Sequence, residues 1–208
     1  MARAISVNQL LTKRRKLMAF DGEWLDCIGS PELCGSWFIY GSSGNGKTTF
    51  VLQLCKYLTS FGRVAYNSME EGDSESMRLA FMRTGMEACK RRIVLLDNEP
   101  LDELKERLRK HKSQKIIVID SVQYSGMTYT EYKALRNEFR DVLFIIISHA
   151  EGRKPADRRA ESIRYDASVK IFVEGYKAYI MSRYRGGAST KEYTIWEEEA
   201  KKIKGLEA

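Results

Sequence analysis

Short apolar runs alternate with longer amphipathic segments along most of the chain. The largely uninterrupted runs predict strands buried on both faces, whereas apolar residues at helical spacing predict helices between them. The predicted strands are residues 36–40, 63–68, 92–96, 115–120 and 142–147, and the predicted helices are residues 49–58, 74–86, 101–111 and 130–139. Such alternation is typical of an α/β fold with a mainly parallel sheet sandwiched by helices.

The pattern changes in the C-terminal part of the chain. Two runs of strand-forming residues, 169–173 and 178–182, flank Glu174-Gly175-Tyr176, which indicates a hairpin turn. Residues 193–196 form a further strand-like run. We therefore expect an antiparallel extension along one edge of the parallel sheet.

Positive charge is concentrated near the N-terminus. The chain has 35 Lys and Arg against 28 Asp and Glu, a net charge of +7, which is compatible with a nucleic-acid partner. The cations that precede the first acid are Arg3, Lys13, Arg14, Arg15 and Lys16. An acid-free basic segment can imitate a mitochondrial presequence, but helical spacing at 7–18 favours an ordered arm. We divide the chain into a basic helical arm at 1–21, one domain at 22–196 and a tail at 197–208.

Cysteine usage and hydropathy narrow the cellular setting. The four cysteines are scattered and include no C-x-x-C pair, which disfavours a structural zinc site and predicts a reduced, cytoplasmic protein. No run approaches the roughly 18 apolar residues that a membrane-spanning helix requires.

The stretch YGSSGNGKTTF, from Tyr40 to Phe50, matches the phosphate-binding pattern G-x-x-x-x-G-K-[ST] and lies between a predicted strand and a predicted helix. Glycines let successive backbone N–H groups turn towards phosphate oxygens. Lys47 is expected to reach the β- and γ-phosphates, and the Thr48 hydroxyl to ligate Mg²⁺. The predicted nucleotide contacts are Gly41, Ser42, Ser43, Gly44, Asn45, Gly46, Lys47, Thr48 and Thr49. ATP and Mg²⁺ are the expected ligands.

Acids at two strand ends supply the remaining chemistry. Asp120 ends a buried apolar run, where open α/β sheets place ligand-binding groups, and is expected to hold Mg²⁺ directly or through water. The alternative is that Asp120 only caps the next helix. Ser121 follows it, so the base that activates the attacking water must come from elsewhere. Glu70 and Glu71, at the end of the second predicted strand, are the candidates.

Four segments resemble motifs of one family of ATPases. Residues 64–71 (VAYNSMEE) and 115–123 (KIIVIDSVQ) are similar to two motifs of the RadA/Sms recombination ATPases, and 146–149 (IISH) resembles their γ-phosphate-sensing strand tip. Residues 183–187 (RYRGG) resemble the lysine-x-arginine-x-glycine element of RadA and of DnaB-type helicases, with an arginine in place of the lysine. These motifs keep their order, so the chain is identified as a member of the RecA-like superfamily of P-loop ATPases.

The resemblance implies roles for several residues. It implies Glu70 as the catalytic glutamate, with Glu71 as second choice, and His149 as a sensor of the γ-phosphate. A structural role at a strand end is the alternative for His149. It also implies that Arg183 and Arg185 act on ATP held by a neighbouring subunit of a homo-oligomeric ring or filament, with a hexamer expected. We place both on the antiparallel extension, where alternate strand positions share a face; the alternative is that they are surface charges.

A basic loop follows His149, and in the RecA-like superfamily the corresponding loop touches DNA. Its cations are Arg153, Lys154, Arg158 and Arg159. They suit contacts with phosphates, and single-stranded DNA is the favoured partner. An ordinary solvated loop is the alternative, because Glu151, Asp157 and Glu161 dilute the charge.

The leading functional hypothesis is a DNA-stimulated, oligomeric ATPase serving recombination, replication or a mobile element. Compared with RadA, which has a zinc finger and a protease-like domain, and DnaB, which has an N-terminal helical domain, the chain reads as a bare ATPase core, as in phage and mobile-element ATPases. A KaiC-like regulatory switch that acts on proteins carries the same Glu-Glu pair and is the alternative. A small-substrate kinase is a weaker third reading, since no segment before Glu151 resembles an arginine-bearing lid.

Overall fold

The predicted apolar runs form the centre of a single sheet in a computed structural model of the chain, which describes residues 4–186 and 190–206. The strands are β1 Gly35–Gly41, β2 Val64–Ser68, β3 Ile93–Asp97, β4 Ile116–Asp120, β5 Leu143–Glu151, β6 Lys154–Pro155, β7 Val169–Glu174, β8 Lys177–Ser182 and β9 Lys191–Thr194. Among the described residues they pair in the order β3-β2-β4-β5-β1-β7-β8-β9, with β6 beside β5. The predicted mainly parallel α/β sheet is confirmed.

Parallel pairing brings the carboxyl ends of the central strands to one edge of the sheet. In the register, Gly41 of β1 pairs with His149 of β5, and Ser68 of β2 pairs with Asp120 of β4. Four of the five residues of β3 and all of β1, β2 and β4 are at least half-buried. The fold therefore gathers at one edge the residue types that the sequence places at separate strand ends.

Helices cover both faces of the sheet. They are α1 Val7–Thr12, α2 Gly22–Ile28, α3 Lys47–Leu58, α4 Glu75–Arg83, α5 Leu101–Arg109, α6 Val122–Ser125, α7 Tyr129–Glu138, α8 Arg158–Asp166 and α9 Glu197–Leu206. One hydrophobic core packs α2, α3 and α4 on one face, and a second packs α5, α7 and α8 on the other. No helix in the described part of the chain is both long and apolar enough to cross a membrane.

The antiparallel extension is present, with a shorter last strand than the sequence pattern predicts. β7 and β8 form the predicted hairpin, and β9 pairs antiparallel with β8. The strand ends at Thr194 rather than Trp196, because Ile195 turns its backbone N–H to Tyr176 O at 2.9 Å. The segment predicted as a tail contains the helix α9.

The N-terminal helix is also shorter than predicted. It ends at Thr12 instead of residue 18, and Lys13 already has extended backbone angles. The chain leaves the helix because Met18 and Phe20 bury their side chains against the domain, and Met18 N–H donates to Pro31 O at 2.8 Å.

Candidate nucleotide-binding site

The phosphate loop depends on two glycines that lie too close to neighbouring groups to carry side chains. Gly41 ends β1, where an added Cβ atom would lie 2.2 Å from Val173 O. Gly46 has φ +90°, and an added Cβ atom would lie 2.9 Å from the Tyr176 ring. The loop is therefore packed directly against the β7–β8 hairpin, and these two positions require glycine.

The N-terminus of α3 points its free N–H groups into the loop. α3 begins directly after Gly46, and no side chain caps it. The first helical hydrogen bond is donated by Phe50, so the N–H groups of residues 47–49 have no acceptor within the helix. Free N–H groups at a helix N-terminus attract anions, so this end of α3 suits a phosphate group.

Lys47 is the cation at the centre of the loop. Its Nζ donates to Ser42 O at 3.0 Å, and the side chain is part-buried. Burial lowers the pKa of Lys47 from its usual value, while Asp120 and Glu70 act in the opposite direction. The ammonium group thus stands between the loop and two acids, the position from which it can pair with phosphate oxygens.

Asp120 is a buried acid aimed at the same cavity. Burial raises the pKa of its carboxyl from 3.8 to about 6, and a hydrogen bond donated by the Tyr66 hydroxyl opposes that rise. The helix-cap alternative is wrong, because Ser121 occupies the N-cap of α6 and no side-chain hydrogen bond caps that helix. A carboxylate held in this way is available for a cation.

The surroundings of Asp120 fit Mg²⁺. The hydroxyl groups of Ser68 and Ser121, both buried beside it, have no hydrogen-bond partner among the described residues. Within those same residues, no three of His, Cys, Asp and Glu converge as a metal site. A metal ion here would therefore share ligands with phosphates and water, which is how Mg²⁺ is usually bound. Thr48 and Asp120 offer the oxygen atoms that Mg²⁺ prefers.

Glu70 and Glu71 have different partners. The Glu70 Oε2 atom lies 3.3 Å from His149 Nε2, and both side chains line a cavity of about 310 Å³ together with Lys47 and Asp120. Glu71 lines the same cavity, but its carboxylate accepts a hydrogen bond from the Ser76 hydroxyl. Backbone bonds from Met69 and Glu70 to Asp120 O hold the end of β2 beside the end of β4. Glu70 is thus the acid that faces His149.

Gln123 links this cavity to the start of α8. Its Oε1 accepts His149 N–H at 3.2 Å, and its Nε2 donates to Asp157 Oδ2 at 3.2 Å. Asp157 in turn caps α8 by accepting the Ala160 N–H at 2.7 Å. The strand tip that carries His149 is therefore fixed by side chains on both sides.

Solved structures similar to this chain share the arrangement of strands, phosphate loop and helices. An ATPase domain of DnaB type matches with a TM-score of 0.56 and 15% identity, over 81% of this chain and 83% of that chain. The KaiC-like protein PH0186 from Pyrococcus horikoshii OT3 matches with a TM-score of 0.60 and 21% identity, over 86% and 93%. The chain has the RecA-like ATPase fold. A further RecA-like match is the flagellar accessory protein FlaH from Methanocaldococcus jannaschii, with a TM-score of 0.56 and 15% identity, over 82% and 89%.

These likenesses are to structure alone. No protein-family model matches the sequence of this RecA-like chain, and no curated protein sequence matches it.

Arg183 and Arg185 lie at the opposite end of the RecA-like sheet from the phosphate loop. They belong to a 3₁₀ turn, Arg183–Arg185, so the expectation that they share one face of a strand is wrong. The strand ends because Ser182 accepts Tyr184 N–H with its side chain at 3.2 Å. Ser182 pairs with Val169, and Val169 with Trp37. Trp37 is four residues before Gly41, which corresponds to roughly 13 Å along the strand.

The two arginines have separate surroundings. Arg183 donates to Tyr165 O at 3.3 Å, at the end of α8. Arg185 lies near Cys27 of α2, where burial raises the pKa of the thiol and the arginine opposes that rise. Neither lines the cavity of its own phosphate loop.

The basic loop is a small hairpin whose charges are partly neutralised. Arg153 pairs with Glu174 at 2.8 Å, and Arg159 pairs with Asp157 at 3.2 Å. Lys154 and Arg158 are exposed and form no ion pair within the described part of the chain. The sequence counts four cations here, and two of them are engaged by acids of the protein itself.

Three residues of the cavity lie outside the sequence motifs: Arg83, Tyr176 and Trp196. Arg83 ends α4, Tyr176 lies in the β7–β8 turn, and Trp196 precedes α9. Only one sequence signal was available, the aromatic residue in a hairpin turn, and it does not reveal that this turn folds back onto the phosphate loop.

Proposed function

We propose that this RecA-like chain binds ATP with Mg²⁺ and hydrolyses it. The observation that carries the proposal is the pair of Glu70 and His149, 3.3 Å apart, in one cavity with the phosphate loop and Asp120. A carboxylate held by a histidine beside the γ-phosphate position can accept a proton from an attacking water. Two unrelated strand ends supply these groups, which is more than phosphate binding requires.

Each residue has a part in the proposed reaction. Lys47 and the N-terminus of α3 hold the β- and γ-phosphates, and Thr48 and Asp120 hold Mg²⁺. When bound, Mg²⁺ neutralises phosphate charge. Glu70 accepts the proton of the attacking water, and His149 fixes the orientation of the Glu70 carboxylate.

The proposal is tested by phosphate release from ATP by the purified chain. We expect release that requires Mg²⁺, stops on addition of EDTA and falls to background in Lys47→Ala, because this substitution removes the cation of the loop. Arg91→Ala, which removes an exposed cation outside the cavity, is the control and should retain the wild-type rate. Phosphate release by Lys47→Ala near the wild-type rate would refute the assignment.

We further propose single-stranded DNA as the partner of the basic loop. Lys154 and Arg158, exposed and unpaired within the described residues, lie after the strand that carries His149, and Gln123 connects that strand tip to Asp157 of α8. DNA bound by these cations would contact the same elements that hold Glu70 and His149. Stimulation of phosphate release by single-stranded DNA supports this role in recombination, replication or a mobile element. Stimulation by a protein client alone would instead support a KaiC-like switch.

We also propose that the active form is a homo-oligomer, a ring or filament with a hexamer as the expected form. Arg183 and Arg185 begin roughly 13 Å from the level of Gly41 along the strands, so they are too distant to complete their own cavity. An arginine placed there can act on the phosphates of a neighbouring copy.

A further inference from the structure

The cavity of the phosphate loop continues into a second cavity of similar volume. The second cavity, of about 310 Å³, is lined by Thr49, Gln53, Arg83, Thr84, Ile195 and Trp196. Thr49, Arg83 and Trp196 line both cavities. The two cavities therefore form one cleft, which passes from the phosphate loop across Thr49 to the side of α3.

Trp196 is held in place at this cleft and remains accessible. The preceding residue, Ile195, is buried and accepts a hydrogen bond from Gln53 Nε2 at 3.1 Å. The indole ring meets Tyr176 edge-on, with ring centroids 6.0 Å apart, yet 42% of Trp196 is exposed. A large aromatic ring that is fixed and half-exposed offers a flat surface to a ligand.

Arg83 provides a second flat group at the same place. It occupies the last turn of α4, is exposed, and forms no ion pair among the residues the structure describes. The planar guanidinium group of an arginine stacks on aromatic rings, and an exposed arginine next to a phosphate site also favours an anionic ligand.

We propose that Trp196 and Arg83 form the slot that holds the nucleobase of the bound nucleotide. This inference rests on the proposed function, and it adds where the base lies and how it is recognised. The phosphates occupy the start of α3 near Lys47, so the rest of the nucleotide extends past Thr49 into the second cavity. Stacking of a base on an aromatic side chain is tolerant of base identity, because every base has a π-face.

The polar groups of the slot are already engaged within the protein, which limits their use in reading the edge of the base. Gln53 donates to Ile195 O, and its Oε1 accepts from the Tyr193 hydroxyl at 3.4 Å. The Thr84 hydroxyl donates to Ala80 O at 2.8 Å. The slot therefore holds the base by its face, and adenine and guanine nucleotides bind with affinities within about tenfold of each other.

The first test compares a nucleotide with its phosphates alone. Binding of Mg-ATP and of inorganic tripolyphosphate with Mg²⁺ is measured by calorimetry for the wild type and for Trp196→Ala. We expect Trp196→Ala to weaken ATP binding by roughly 5- to 100-fold, the range for one stacked base, and to leave tripolyphosphate binding unchanged. Trp196→Phe keeps an aromatic face and should recover most of the ATP affinity.

Tyr165→Ala is the matched control, since Tyr165 is an exposed aromatic residue, 65% accessible, outside the cleft. It should not change ATP binding. Unchanged ATP affinity in Trp196→Ala, or an equal loss for ATP and tripolyphosphate, would overturn the slot while the phosphate loop stands. A wild-type chain that binds neither ligand would overturn both the slot and the proposed function.

The second test measures GTP against ATP on the wild type. Affinities within about tenfold support recognition by the face of the base. A preference of about 100-fold or more for either nucleotide would overturn it, because such a preference requires hydrogen bonds to the base edge.

Discussion

The two ends of the central sheet carry different sets of charges. At the carboxyl end, Lys47 lies among acids, and Asp120 and Glu70 share its cavity. At the opposite end, where β7 begins and β8 ends, three cations lie close together. There burial lowers the pKa of Lys170, and the neighbouring Arg164 and Arg183 lower it further.

This difference shows how a site can be divided between copies of one chain. The carboxyl end holds the residues that bind phosphates and move a proton, but the charge of Lys47 is offset there by two acids. The opposite end carries cations and lies away from the phosphate loop. Parallel strands keep the two ends apart within one chain, so their charges can meet only between chains.

The largest expected effect breaks this comparison directly. Arg183→Ala combined with Arg185→Ala should lower the rate of phosphate release by roughly 10³- to 10⁵-fold, the range for an arginine supplied by a neighbour, while ATP still binds. Mixing this variant with Lys47→Ala should restore activity, because one partner keeps the loop and the other keeps the arginines. Phosphate release is measured over a range of protein concentrations. Activity that is independent of concentration, with no rescue on mixing, would assign both arginines to the surface.

A smaller effect is expected at the basic loop, which lies beyond the carboxyl end. Lys154→Ala with Arg158→Ala should flatten the salt dependence of single-stranded DNA binding by about 1.4 units of slope, since each phosphate contact contributes about 0.7. Arg153→Ala with Arg159→Ala should change it less, because these cations are paired with Glu174 and Asp157. Binding is measured by fluorescence anisotropy at several salt concentrations. An unchanged slope in both variants would move the contact to Lys13–Lys16 or remove DNA from the account.

The smallest effect concerns the free energy of unfolding of the metal-free protein. Burial raises the pKa of Asp120 from 3.8 to about 6, so the folded state holds a proton that the unfolded chain releases. The stability from this group is present at low pH and is lost as pH rises through about 6. Unfolding followed by circular dichroism should show a loss of about 1 kcal/mol between pH 5 and pH 7, or roughly 2–4 °C. Asp120→Asn should remove this component; an identical pH dependence in Asp120→Asn would contradict the assignment.

The sequence predicts the parallel core and its phosphate loop well, for physical reasons. Uninterrupted apolar runs such as residues 116–119 can be buried on both faces only within a covered sheet. Gly41, Gly46 and Lys47 act through backbone geometry and local spacing, and both are written in adjacent residues. The register of parallel strands then brings Asp120 and His149 to the same edge.

Features that depend on distant contacts are not visible in the sequence. Arg183 and Arg185 sit in a 3₁₀ turn because Ser182 caps it, although their spacing suits a strand equally well. The pairing of Arg153 with Glu174 joins residues 21 positions apart. Trp196 reaches the cleft only because Ile195 is hydrogen-bonded to Tyr176 and Gln53, two residues on different elements.

The central claim is that Glu70 accepts the proton in ATP hydrolysis, and one comparison tests it most directly. Glu70→Gln keeps the size of the side chain but cannot accept a proton, so it should bind Mg-ATP with unchanged affinity. We expect its single-turnover rate to fall by roughly 10²-fold or more. Glu71→Gln, the matched neighbour whose partner is Ser76, should retain most of the rate. A normal rate in Glu70→Gln with a loss in Glu71→Gln would contradict the account.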